Sequence, residues 1–287
     1  MRLLPLIIAA FPLATQAEPL TIVTDIPPVQ SLVMQVVGDR GTVDVLLEPN
    51  ADPHHFQLRP SQARSVAQSD LLIWISEDMT PWLDRVIQAS GDTLVHLPLL
   101  HEDIHTDTDE EEIAHHHEDP HLWLDPNEAV EMLEKIESKL VELDPEGATS
   151  YAENAQTAVN RLLDMEGEIA AMLSGVQDRP FVVTHDGYRY FVRHFELSQA
   201  GSLSDIHDSA ASAKTVSNLA HLAENGQVHC VFGEVGESSK LTQVLVDAGA
   251  KKGDDLDPAG ISLPRGPALY ETLMRNLAGS FENCLSD

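Results

Sequence analysis

Apolar residues along the chain alternate between short continuous runs and longer stretches with helical spacing. The runs Leu20–Thr24, Val43–Leu47 and Leu71–Ser76 predict strands of a buried parallel sheet. The intervening stretches Val29–Val37 and Pro60–Ser69 predict helices, the second with proline in its first turn. This alternating order predicts a parallel sheet with helices on both faces.

The pattern changes near Asn127, where two long helical stretches follow each other. Glu128–Leu143 comes first, and a second stretch from Pro145 to about Ser174 also has apolar residues at helical spacing. A helix of about 30 residues spans about 45 Å, enough to run along a molecule of two lobes. Phe181–Thr184 and Val228–Phe232 then begin a second series. We therefore expect an α/β protein with two Rossmann-like lobes, each a mostly parallel sheet flanked by helices.

The first residues predict export from the cytoplasm. Met1 and Arg2 form a short positive start, Leu3–Leu13 is apolar, and small residues precede a cleavage position after Ala17. This is typical of a secretory signal peptide, with a buried first strand or helix as the alternative. No other apolar run approaches about 18 residues, so we expect no transmembrane helix and a soluble product.

The change of pattern near Asn127 and the length of the chain together predict two folded domains in the exported chain. The expected segments are a signal peptide at 1–17, an N-terminal lobe at 18–144, a linking helix at 145–174 and a C-terminal lobe at 175–287.

The composition of the chain excludes some classes of binding partner and favours others. The formal net charge of −30 excludes a nucleic-acid binder, which needs clustered Lys and Arg, and it favours the attraction of cations. Solubility explains most of this charge. The two cysteines, Cys230 and Cys284, predict a disulfide in an oxidising compartment, with two free thiols as the alternative.

Three histidines far apart in sequence lie in similar short contexts. His54 follows a predicted strand, His121 precedes a predicted helix, and His185 follows the first strand of the second series. Open α/β sheets bind their ligands in such loops. Each histidine alone is equally well explained as a helix cap or a packed core residue. Together they predict a transition-metal site, and neutral imidazole is a common zinc ligand.

The tract from His101 to Asp119 combines histidines with many carboxylates and contains no Lys or Arg. It is predicted to be a mobile loop. A solvated acidic linker is one interpretation. The other is an accessory zinc collector, a sensor or a docking surface for a metallochaperone. The histidines concerned are His101, His105, His115, His116 and His117.

The order of these motifs resembles the periplasmic zinc-binding proteins of ABC importers, within the cluster A-I family of metal-binding solute receptors. The resemblance covers essentially the whole mature chain. It implies two α/β lobes joined by one long rigid helix, with the metal in the cleft between them. The matching motifs are Asp52-Pro53-His54, Leu58-Arg59-Pro60-Ser61, His121-Leu122-Trp123-Leu124-Asp125-Pro126, Thr184-His185-Asp186-Gly187-Tyr188, Val231-Phe232-Gly233-Glu234 and Leu256-Asp257-Pro258.

Carried over to this chain, the family's histidine ligands fall on His54, His121 and His185. Manganese receptors of the same cluster carry a carboxylate in place of His185, and manganese prefers oxygen ligands, so zinc is the expected metal. The family's acidic segment falls on Asp257, which is the expected fourth ligand. The competitors for this position are water, a loop histidine, His55 and Glu234.

The resemblance implies a receptor, not an enzyme, that captures Zn²⁺ in the periplasm and delivers it to an ABC permease. We expect it to act as a monomer without nucleic-acid partners. Two alternatives remain at this point. One is a zinc-dependent hydrolase, because three histidines and a water are also a catalytic arrangement, although no H-E-x-x-H motif is present. The other is a periplasmic zinc buffer without a transporter.

Overall fold

The computed structural model describes residues 18–100, 119–207, 209–236 and 240–286. The predicted signal peptide, and the predicted loop up to residue 118, lie outside the described residues. The strands are β1 (Leu20–Thr24), β2 (Gly41–Val45), β3 (Leu71–Trp74), β4 (His96–Pro98), β5 (Phe181–Val183), β6 (Gln199–Ser202), β7 (Cys230–Phe232) and β8 (Lys251–Lys252). The helices are α1 (Pro27–Val37), α2 (Pro60–Gln68), α3 (Pro81–Ser90), α4 (Pro126–Leu143), α5 (Ala148–Leu173), α6 (Arg189–His194), α7 (Ala213–Glu224), α8 (Lys240–Asp247) and α9 (Leu269–Leu285).

The first sheet has the order β2-β1-β3-β4, and all of its pairs are parallel, as predicted. Strand β2 begins two residues earlier than the apolar run Val43–Leu47 suggests, because Gly41 and Thr42 pair with the start of β1. Leu46 and Leu47 still run beside β1, since their N–H groups donate to the carbonyls of Thr24 and Asp25 at 2.9 and 3.0 Å. Burial of these leucines explains why the apolar pattern extends beyond the strand.

The second sheet repeats this arrangement with the order β6-β5-β7-β8, again entirely parallel. The two series in the sequence therefore form two separate parallel sheets. The two edge strands of this sheet, β6 and β8, contain no apolar run, and the hydrophobic pattern therefore does not predict them. Lys251 and Lys252 join the sheet through backbone pairing with Cys230 and Val231.

The long helix α5 packs against α1, α4 and α9. It is shorter than predicted, because Pro145–Gly147 forms a 3-10 turn before the helix begins at Ala148. One continuous apolar cluster includes Ile22 of β1, Leu162 of α5, Phe181 of β5 and Phe281 of α9. The helical layer thus lies between the two sheets and shares its core with both. The domain boundaries at 144/145 and 174/175 remain predictions.

Two smaller clusters cover the outer faces of the sheets. Val23 of β1 packs there with residues of α2 and α3, and Val182 of β5 packs with residues of α7 and α8. Successive strand residues therefore face opposite cores, as expected for a sheet covered on both sides. Among the described residues, no helix combines the length and apolarity needed to cross a bilayer.

The structure contains the predicted disulfide between Cys230 in β7 and Cys284 in α9. The bridge joins residues 54 positions apart and ties the last helix to the second sheet. The loop that leads to Glu234 begins at the end of this same strand.

Candidate metal centre

The three histidines expected to bind a metal lie together in the cleft between the sheets. A possible ligand atom from each of His54, His121 and His185 lies within 4.8 Å of the others. The ring centroids are 5.0 to 5.5 Å apart. His121 and His185 are buried and His54 is half-buried. In the described part of the chain, this is the one cluster of histidine, cysteine or carboxylate groups with such spacing.

His54 lies in the loop between β2 and α2. Its backbone N–H donates to the carboxylate of Asp52 at 2.8 Å, and the carbonyl of Pro53 accepts from the indole N–H of Trp82 at 2.6 Å. The indole also contacts the ring of Phe56 edge-on, at 5.1 Å between centroids. These contacts fix the loop on α3, so that its imidazole reaches the cleft.

His121 lies immediately before the 3-10 turn Leu122–Leu124, which leads into α4. Its Nδ1 is 2.8 Å from Oδ1 of Asp119, and its backbone N–H donates to the same oxygen at 3.1 Å. Burial disfavours the charged form of Asp119, but the hydrogen bonds from His121 and the attraction of Arg189 outweigh it and lower the pKa of this carboxyl. Asp119 is therefore ionised at neutral pH.

His185 lies two residues after the end of β5, at the carboxyl end of a central strand. Its Nε2 lies 3.1 Å from Nε2 of His121, so the two rings present the same nitrogen to the same place. The next residue, Asp186, accepts hydrogen bonds from both Arg189 and Gln199. This pairing holds the loop that carries His185 against the second lobe.

The histidines face a small cavity of about 80 Å³. Met79, Trp123 and Ile261 supply apolar walls, and the carboxylates of Asp52, Glu234 and Asp257 supply negative charge. The full lining consists of Asn50, Asp52, Pro53, His54, Met79, His121, Trp123, His185, Glu234, Val235, Gly236, Asp257, Pro258, Ala259 and Ile261. The elements that contribute these residues approach the cavity mainly by the carboxyl ends of their strands, as in other open α/β folds.

Asp257, the expected fourth ligand, lines this cavity but does not belong to the group of mutually close ligand atoms. Its Oδ1 accepts from the N–H of Ile261 at 2.8 Å, and its Oδ2 accepts from the N–H and hydroxyl of Ser262 at 2.9 and 2.6 Å. The carboxylate thus closes the turn that follows it. A role for Asp257 at the metal remains a prediction.

The competitors named from the sequence occupy different places. Glu234 also lines the cavity, where its Oε2 accepts from the hydroxyl of Tyr188 at 2.7 Å. His55 is exposed and is not part of the cluster. The five histidines at positions 101, 105, 115, 116 and 117 lie outside the described residues.

Two residues that contact His121 are not identified as such from the sequence. Asp119 is predicted to belong to the loop, whereas only 11% of its side chain is exposed in the structure. Trp123 is recognised in the sequence only as part of a motif, although its ring lies 5.2 Å from that of His121 and lines the cavity. A signal for Asp119 was available, since an aspartate two residues before a ligand is well placed to accept from its backbone N–H.

The donor set decides which ions the centre can bind. Three neutral imidazoles and a polar cavity suit a tetrahedral zinc ion with a fourth place for oxygen. Manganese, magnesium and calcium prefer sites with mostly oxygen ligands. The nearby carboxylates offset the charge of the cation in a partly buried site.

Comparison with known proteins gives consistent results. Residues 22–284 match the family model described as "Zinc-uptake complex component A periplasmic". The chain is 34% identical to the high-affinity zinc uptake system protein ZnuA of Paracoccus denitrificans, covering 95% of this chain and 94% of that protein. It is 30% identical to the protein of the same name from Brucella suis, covering 92% and 91%.

Solved structures share the fold. A zinc-bound ZnuA deletion mutant superimposes with a TM-score of 0.78 at 24% identity, covering 94% of this chain and 99% of that chain. The periplasmic zinc-binding protein TroA of Treponema pallidum superimposes with a TM-score of 0.79 at 17% identity, covering 93% and 99%. At these identities the likeness concerns the arrangement of the two lobes.

Proposed function

Because the chain belongs to the family of periplasmic zinc-uptake complex components, we propose that it is the high-affinity receptor that captures Zn²⁺ and delivers it to an ABC permease. The observation that carries this proposal is the convergence of His54, His121 and His185 on one small cavity. Zinc is the cargo of this receptor, and the three imidazoles are its ligands. The family is one of solute receptors, so the chain acts by binding and release.

Capture begins with the charge of the protein. A net charge of −30 raises the local concentration of cations, and the exposed carboxylate of Asp52 at the cavity continues this attraction to the site. Zinc then exchanges its water for neutral imidazoles, which bind it far more selectively than surface carboxylates do. The field thus speeds the encounter, and the histidines supply the specificity.

Release depends on ligands that come from different parts of the fold. His54 belongs to the loop after β2, whereas His185 belongs to the loop after β5, in the other sheet. A small separation of the two sheets lengthens at least one metal–nitrogen bond. Docking on a permease that favours a more open cleft therefore lowers the affinity for zinc.

We assign the fourth ligand position to Asp257. Asp257 lines the same cavity, and its Oδ1, which accepts one hydrogen bond from Ile261, retains a second lone pair for the metal. Coordination must preserve or replace the hydrogen bonds to the 261–262 turn. The contribution of Asp257 to affinity is therefore smaller than that of a histidine, and water is its direct competitor.

The histidine- and acid-rich tract is assigned a secondary role. Its five histidines form an accessory, weaker zinc-binding segment that collects zinc, senses it or docks a metallochaperone. The receptor itself is expected to be an exported monomer after removal of residues 1–17.

Metal analysis combined with competition titration tests the proposed function. Purified mature protein, stripped with a chelator and titrated with zinc against a chromogenic chelator, should bind one equivalent tightly. A variant with Ala at positions 54, 121 and 185 is the matched control and should lose that equivalent. A protein that binds manganese as tightly as zinc would contradict the assignment.

Two further assays separate the alternatives. Deletion of the gene should abolish growth in zinc-depleted medium, with rescue by added zinc, since a receptor feeds a transporter whereas a buffer does not. Turnover of ester and peptide substrates by the zinc-loaded protein would instead support a hydrolase.

A further inference from the structure

The carboxylate of Asp119 lies directly behind one of the proposed zinc ligands. Its Oδ1 is 2.8 Å from Nδ1 of the His121 imidazole and accepts from the backbone N–H of the same residue at 3.1 Å. Both side chains are shielded from solvent, with exposures of 2% for the histidine and 11% for the aspartate. One carboxylate oxygen therefore restrains both the backbone and the ring of His121.

The direction of this contact determines which ring nitrogen faces the cavity. A carboxylate only accepts hydrogen bonds, so the proton between the two groups resides on Nδ1 of His121. In the neutral imidazole, Nε2 then carries the lone pair, and this is the nitrogen that lies 3.1 Å from Nε2 of His185. Asp119 thus selects the tautomer of His121 that can bind a metal in the cleft.

Besides its contacts with His121, Asp119 experiences an electrostatic attraction from the side of the second sheet. Arg189, in the first turn of α6, attracts it electrostatically and donates two hydrogen bonds to the carboxylate of Asp186, next to His185. The same guanidinium therefore pairs directly with the carboxylate next to His185 and also attracts the carboxylate behind His121. The hydrogen bonds that fix the position of Asp119 are those with His121.

We propose that Asp119 is a positioning residue of the zinc site, which orients the ring of His121 and fixes its proton on Nδ1. This inference rests on the proposed function, because it concerns the affinity of that same site. Partners behind a ligating histidine raise its basicity and remove the cost of orienting the ring on binding. Their loss typically weakens metal binding about 10- to 100-fold.

The test compares Asp119→Ala and Asp119→Asn in the full-length mature protein. Asp119→Ala removes the acceptor and should weaken zinc binding about 10- to 100-fold in chelator competition. Asp119→Asn keeps an acceptor oxygen near Nδ1 and should restore most of that loss. Asp84→Ala is the matched control, because this carboxylate bonds Gln88 within α3 and its removal costs the protein the same charge.

A second measurement needs no zinc and separates positioning from a general structural role. In metal-free protein with isotope-labelled histidine, proton–nitrogen correlation spectra at mildly alkaline pH report the tautomer of His121. The ring should carry its proton on Nδ1 in the wild type and in Asp119→Asn, and populate both tautomers in Asp119→Ala. Thermal unfolding confirms that each variant is folded.

The outcomes distinguish this inference from the proposed function. If wild-type protein binds no zinc tightly, the proposed function fails, whatever the tautomer. If wild-type protein binds zinc and Asp119→Ala binds it within twofold, with an unchanged tautomer of His121, the positioning role is overturned.

Discussion

The indole N–H of Trp123 donates a hydrogen bond to the carbonyl oxygen of Pro258 at 2.8 Å, although the two residues are 135 positions apart in sequence. Trp123 is two residues from His121, and Pro258 follows Asp257. The bond therefore connects the turn that carries one proposed ligand with the segment that carries another. The hydroxyl of Tyr270 reinforces this link by donating to the carbonyl of Trp123 at 2.7 Å.

Trp123→Phe tests this link. The change leaves the carbonyl of Pro258 without its donor in a buried place and removes part of a packed ring, which should lower the free energy of unfolding by about 2–4 kcal/mol. Zinc affinity should fall as well, because the turn at His121 loses its attachment to the opposite wall. Urea denaturation of the metal-free protein and chelator competition measure the two effects.

The matched control is Trp74→Phe in β3. Trp74 is also buried, but its indole nitrogen has no hydrogen-bond partner in the structure. This variant should lose stability through the smaller ring alone and keep its zinc affinity. Equal losses of zinc affinity in both variants would contradict a specific role for the bond to Pro258.

Single alanine substitutions of His54, His121 and His185 should each weaken zinc binding by more than about 100-fold, beyond the loss expected for residues behind the ligands. The physical reason is that two remaining imidazoles cannot complete a tetrahedral shell without extra water. Chelator competition measures the change, with His221→Ala on the exposed face of α7 as the control. Wild-type affinity in two of the three variants would refute the assigned site.

Asp257→Ala should weaken zinc binding about 10-fold, less than any of the histidine variants, because water can take the vacated position. Asp257→Asn separates coordination from closure of the turn at Ile261 and Ser262. The amide keeps an acceptor for the turn but is a poorer zinc ligand. If both variants bind zinc like the wild type, the fourth ligand is water or a group of the accessory tract.

Two deletion variants whose deleted segments differ by one residue should differ clearly in their tight zinc affinity. Removing residues 101–118 should eliminate the weaker zinc equivalents and leave the tight one. Removing residues 101–119 also deletes the acceptor for Nδ1 of His121, and the tight affinity should fall about 10- to 100-fold. Isothermal titration gives both the number of equivalents and their affinities. Equal tight affinity in the two proteins is the outcome that contradicts this prediction.

Asp25, at the end of β1, should make the stability of the metal-free protein depend on pH. Burial raises its pKa from 3.8 to about 7, despite hydrogen bonds from the N–H groups of Ile26 and Ile75. The folded state therefore binds the proton more tightly than the unfolded state does. The contribution to stability is complete below about pH 4 and is lost as the pH rises through about 7, by up to about 4 kcal/mol.

Asp25→Asn isolates this effect, because an amide does not titrate. Between pH 4 and 8, in about the window set by the two pKa values, the wild type should lose stability relative to this variant. Urea denaturation of both proteins at several pH values measures the difference. A constant difference across the window would show that Asp25 stays ionised in the folded protein.

Much of the fold is encoded locally, in the apolar pattern. The strand at Leu20–Thr24 has the predicted bounds, and α1 and β3 lie within two residues of their predicted ends. Such runs are predictable because strands buried on both faces need apolar side chains at every position. The edge strands β6 and β8 escape prediction, since backbone pairing with a neighbour, rather than side-chain character, places them in the sheet.

The residue types at the candidate site were also evident from the sequence. His54, His121 and His185 stand at strand ends or helix starts, and imidazole has the chemistry of a zinc ligand at any position. What the tertiary structure alone decided is their convergence, the direction of Nε2, the acceptor behind His121 and the hydrogen bonds that occupy Asp257. These properties depend on ångström distances between loops on different sheets. Spacing along the chain cannot supply them, because the packing of the helices between the two sheets determines how those loops meet.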